Sequence, residues 1–206
     1  MHRSVVLFVT AAAIAIPSVV TAQQPTPPAK KAAPAPDAAK AKKQPPKAAP
    51  PQVQAAVGGQ PTLLGTFGEW GAYAASPNGN KLCFALAKPQ DSKTNPPNRP
   101  RDPTYLFIAS RPVENVRNEV SVIIGYSFKP GTDASIEIGS AKFAMYTQAD
   151  GAWIKNAAEE ARMIDTMRKG ADLVVSGTSA RGTHSTDRYT LKGLSQALDR
   201  AAQECR

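Results

Sequence analysis

From residue 23 to residue 60 the chain is written almost entirely in proline, alanine, glutamine and lysine, and this stretch decides where a fold can form. Prolines recur from Pro25, Pro27 and Pro28 to Pro50 and Pro51. Each biases the residue before it toward extended backbone. Large apolar side chains are nearly absent, so nothing offsets the entropy of ordering the segment. The expectation for 23–60 is a disordered, semi-stiff, polyproline II-like tether. A packed core is then expected only in 61–206, which is long enough for one domain.

The residues ahead of the tether read as an export signal. Arg3 supplies a positive start, residues 5–16 form an apolar run, and Pro17 breaks it. Val20-Thr21-Ala22 places small or modest residues at the −3 and −1 positions of a cleavage site. The expectation is a signal peptide over 1–22, removed after Ala22. The run is short of the ~20 residues a bilayer span needs, so no transmembrane segment is expected after processing.

Charge is unevenly shared. The chain carries +9. Six lysines and one aspartate give the tether +5, Arg3 adds +1, and +3 remains for 61–206. A basic, extended tether can touch anionic polymers or lipid headgroups weakly, with an affinity that salt lowers. Nucleic acid is not an expected partner, because no binding motif is present and the expected location is outside the cytosol.

The two cysteines, Cys83 and Cys205, both lie in the folding region. In an oxidising compartment a lone pair is expected to close on itself, the alternative being two buried free thiols. No metal or other cofactor is expected, since His2 and His184 are the only histidines and no ligand spacing occurs.

Elements are mostly strands. Phe67–Ala74, Leu82–Ala87, Val120–Tyr126, Leu173–Ser176 and Arg188–Leu191 read as strands, and Ile136–Ile138 with Lys142–Thr147 as a hairpin. Tyr105–Ala109 is almost continuously apolar, as in a strand buried on both faces. Residues 88–103 read as a long loop. A helix is expected over Ala157–Lys169, capped by Asn156 and ended by Gly170, and another over Leu194–Glu204. In the second, Leu194, Ala197, Leu198, Ala201 and Cys205 follow one apolar stripe. The pattern is mainly β: a β-sandwich with one inserted helix and a C-terminal helix.

Catalytic chemistry is hard to find. Ser179, His184 and Asp187 can be written down as a triad, but Arg181 stands where a Gly-x-Ser-x-Gly elbow needs its second glycine. A periplasmic serine-type hydrolase using Ser179 and His184 is therefore only the alternative reading. The plain account of 177–182 is a tight loop, with Arg181 paired to a carboxylate. Arg101-Asp102 opens the strand at Tyr105, either as a local ion pair or turn or as part of a recognition loop over 88–103. Arg101, Asp102, Arg181 and Asp187 are the candidate interaction residues. Trp70 and Trp153 are expected in core or rim packing.

Gly68-Glu69-Trp70, Cys83, Arg111-Pro112, Asn118-Glu119-Val120-Ser121, Gly125-Tyr126, Gly177–Thr183 and Tyr189-Thr190-Leu191-Lys192-Gly193-Leu194 stand in a familiar order. Together they resemble the invasion-associated locus B family of exported bacterial proteins, over most of 63–205. The resemblance implies an immunoglobulin-like β-sandwich, an envelope location and no established catalytic mechanism. Many members carry a further cysteine pair near the first strands; here Gly71, Ala72, Tyr73 and Ala74 follow Trp70 instead. The expected protein is a non-enzymatic module of the periplasm or cell surface. Its expected partner is an envelope or surface protein.

Overall fold

The structure, a computed structural model, describes residues 51–206. The expected leader, and residues 23–50 of the expected tether, lie outside them. The last ten residues of the tether stretch do not match its expected disorder. Pro51–Ala56 forms a helix (α1), and Val53 and Val57 are buried. Two valines four residues apart make one apolar stripe, enough to seat a helix turn on a neighbouring surface.

Eleven strands follow: β1 (Thr62–Phe67), β2 (Trp70–Ala75), β3 (Leu82–Ala87), β4 (Asp91–Asn95), β5 (Tyr105–Arg111), β6 (Val116–Ile123), β7 (Ala134–Ile138), β8 (Ala141–Gln148), β9 (Gly151–Ile154), β10 (Asp172–Thr178) and β11 (His184–Thr190). Helix α2 (Glu160–Lys169) lies between β9 and β10, and α3 (Leu194–Glu204) ends the fold. The expected Phe67–Ala74 strand is two strands, because Gly68 takes a positive φ and turns the chain into a β1–β2 hairpin. The expected loop over 88–103 contains β4, which pairs with β11. Its sequence, Asp-Ser-Lys-Thr-Asn, lacks apolar alternation, so only backbone pairing defines it.

All strands are antiparallel and form one sheet, in the order β1-β2-β3-β5-β6-β9-β8-β7-β10-β11-β4. The sheet folds over on itself. Strands β2 and β11 are eight steps apart, about 38 Å in a flat sheet at ~4.8 Å per strand. Yet the Trp70 indole donates to the Thr190 carbonyl at 2.9 Å. One core therefore lies inside the fold, between facing halves of the same sheet: Trp70, Leu106, Ile108, Val122, Ile136, Phe143 and Tyr189 share it with α2 and α3. This is the sandwich arrangement expected of the sequence, made from a single sheet.

A second cluster sits on the outer face. Leu82, Phe84 and Leu86 alternate outward from β3, as do Tyr105, Phe107 and Ala109 from β5, and Val53 of α1 with Val57 just after it cover them. Strands β3 and β5 are thus buried on both faces, which accounts for their continuous apolar runs. A disulfide joins Cys83 on β3 to Cys205 at the end of α3, across a sequence separation of 122. Helix α2 starts after one 3₁₀ turn, where the Asn156 side chain accepts from the Ala158 amide. Gly170 ends α2 without left-handed backbone; a Cβ there would crowd Ile138 and Leu191.

Candidate functional site

Three segments meet at one end of the folded sheet: residues 94–102 at and beyond the end of β4, the turn at 125–127 after β6, and the loop 179–183 between β10 and β11. Backbone pairing holds them. Phe128 bridges to Ser179, Ala180 N donates to Ser127 O at 2.8 Å, and Asp102 N donates to Gly125 O at 3.0 Å. Gly125 has φ +80, and a Cβ there would overlap the Asp102 carbonyl, so only glycine permits this approach. The segments surround an open cleft of about 1030 Å³. Its walls include Arg99, Pro100, Arg101, Asp102, Tyr126, Ser179 and Arg181.

The base of the cleft is a buried ion pair. The alternation that turns Ser185 and Tyr189 inward from β11 also turns Asp187 inward, where its side chain is fully buried. Arg101, 10% exposed, meets it with both terminal nitrogens; one bond, Nη1 to Oδ2, is 2.8 Å long. Arg101 also donates to the Ile124 carbonyl at 3.2 Å, and Ser92 Oγ donates to Asp187 Oδ1 at 2.7 Å. Burial works most strongly against the Arg101 charge, but the hydrogen bond to Asp187 and the attraction of that carboxylate's charge together outweigh it and raise its pKa. The guanidinium lies 5.9 Å from the centre of the Tyr126 ring, whose hydroxyl pairs with Ser185 Oγ at 2.6 Å. Burial pushes the Tyr189 phenol well above its ordinary range, and the Asp187 charge adds to this.

Of the candidate residues, Arg101, Asp102 and Arg181 line the cleft and Asp187 anchors its base. Arg181 is not paired to a carboxylate as expected: it is exposed, and like Arg99 it has no ion-pair partner among the described residues. No triad assembles. Residues 184 and 187 point to opposite faces of β11, leaving His184 outside with Nδ1 3.4 Å from Thr178 Oγ1. Ser179 Oγ accepts from the Thr183 amide at 3.1 Å, and Asp187 is engaged by Arg101 and Ser92. Among the described residues no group of three or more His, Cys, Asp or Glu could hold a metal ion, and no helix is long and apolar enough to cross a membrane. Sequence reasoning missed Arg99 and the 125–127 turn. The doublet Arg99-Pro100-Arg101 was a visible signal, but which arginine would be buried depended on a strand 86 residues away.

Trp70 is fully buried, while Trp153 sits on the rim, stacked on Tyr146 with ring centroids 5.6 Å apart.

The family model described as invasion associated locus B (IalB) protein matches residues 70–202. No curated protein matches. A crystal structure of invasion associated protein B from Bartonella henselae is similar at 16% identity and a TM-score of 0.48, over 68% of this chain and 94% of that one. That likeness is too distant to carry residue roles across.

Proposed function

This chain belongs to the invasion associated locus B family, and from that premise we propose that it is an exported, non-enzymatic module that holds another envelope or surface component in the Arg99–Arg181 cleft. One observation carries the reading. The cleft offers two guanidiniums without ion-pair partners among the described residues, on a base locked by a buried ion pair, while the candidate catalytic side chains Ser179, His184 and Asp187 are separated or engaged elsewhere. A site that is rigid, open and charged suits recognition. The tether, with its lysines, gives the module reach and weak affinity for anionic polymer or headgroups.

Two measurements test this. Osmotic-shock fractionation is expected to release the chain, without residues 1–22, with the periplasmic or envelope fraction; recovery from the cytosol with the leader intact refutes export. A photo-crosslinking residue at position 180, exposed in the cleft wall beside Arg181, is expected to trap a component in intact cells, while one at exposed Lys142 on β8 does not. Equal capture at both positions, or none at either, refutes the cleft as the binding site.

A further inference from the structure

We propose that the component held by the cleft is a sugar chain bearing acidic groups, a reading that rests on the proposed function above. Three features of the lining select this chemistry together. First, Arg99 and Arg181 present two planar forks without ion-pair partners among the described residues. Such forks match carboxylate or phosphate oxygens in a bidentate way. Arg101 cannot serve this role, since Asp187 consumes its fork.

Second, the exposed Asp102 carboxylate stands in the same lining with no partner among the described residues. It would repel a ligand that is anionic throughout, such as polyphosphate. It accepts hydrogen bonds from hydroxyls, which an acidic sugar has beside its charge. Third, the remaining walls are hydroxyls and flat apolar surfaces: Ser127, Ser179 and Thr183 against Pro96, Pro100 and the Tyr126 ring. There is no deep apolar pocket of the kind that anchors a peptide side chain. At about 1030 Å³ and open to solvent, the cleft fits a few residues of an extended chain rather than an enclosed small molecule.

The test is calorimetric titration of the full chain with hexagalacturonate, with a neutral hexasaccharide of the same linkage, with a mannose 6-phosphate oligomer and with hexaglutamate. Wild type is compared with Arg99→Ala/Arg181→Ala and with Asp102→Ala. The tether is the same in all three proteins, so differences among them report the cleft alone. An acidic sugar is expected to bind, losing about tenfold in affinity in the double arginine variant and severalfold in Asp102→Ala, and weakening as salt rises. The carboxylated and phosphorylated sugars show which acid is preferred. Binding that is equal in wild type and the double variant overturns the proposal, as does hexaglutamate binding as tightly as either acidic sugar. No binding of either acidic sugar also overturns it. A non-carbohydrate adduct at position 180 in cells would overturn the sugar while leaving the cleft's binding role intact.

Discussion

Asp187 is the most deeply buried charged residue among the described residues. It is fully buried, and its charge is balanced by one arginine and one serine hydroxyl. Asp187→Ala is expected to leave the Arg101 guanidinium buried and uncompensated, at a cost of about 3–5 kcal/mol. Urea denaturation measures this, and the Arg101→Met/Asp187→Leu double variant is expected to recover much of the loss. A smaller effect concerns Glu160, which accepts from the Val120 amide at 2.8 Å. Its burial raises its pKa against that bond. The folded state then holds the Glu160 proton more tightly than the unfolded chain does. Its contribution is fully present below the ordinary glutamate range and is lost as pH rises toward its elevated folded value. Glu160→Gln is expected to flatten that part of the stability–pH curve; an unchanged slope would show that the carboxyl does not titrate there. The Ser179/His184 alternative makes its own residue-scale prediction. With the hydroxyl engaged by Thr183 and the imidazole outside, a serine-reactive fluorophosphonate is expected to leave Ser179 unlabelled, as read by peptide mass.

At the scale of elements, the disulfide and α1 are the two attachments that can be cut separately. The Cys83–Cys205 bridge closes 122 residues, which the chain-entropy model values at about 4–5 kcal/mol, an upper figure. Cys205→Ser, or a reductant acting on the parent, is expected to lower the melting temperature; if neither does, the bridge contributes nothing to stability. Helix α1 is held by Val53 and Val57 on the outer face of β3 and β5. Val53→Asp is expected to undock it, lose about 1.5–3 kcal/mol of burial, and open a protease site near Gly58-Gly59. Elements whose pattern is set by burial were legible: Leu82–Ala87 and Leu194–Glu204 have the bounds their apolar spacing predicts. Strand β4 was not, because a solvated edge strand needs no apolar alternation. Nor was α1, because two valines among prolines and glycines signal weakly until a surface exists to receive them.

For the molecule as a whole, the closing of the sheet governs both stability and site. The Trp70 indole ties β2 to the end of β11, and Gly193, at φ +95, brings the start of α3 against the Phe67 carbonyl. Trp70→Phe keeps most of the buried ring while removing its donor; it is expected to cost about 1–3 kcal/mol through the unsatisfied Thr190 carbonyl. Composition and periodicity by themselves determined the strand-rich class, the two larger helices, the cysteine pair and the residues worth suspecting in 101–102 and 181–187. Those are local matters, decided by spacing and by which side chains avoid water. That Asp187 joins Arg101 instead of His184, that Arg181 has no ion-pair partner among the described residues, and that Arg99 shares its cleft were decided only by the tertiary fold. The reason is geometric: the parity of a strand sends residues three apart to opposite faces, and only the curl of an eleven-stranded sheet brings segments at 99, 126 and 181 around one space.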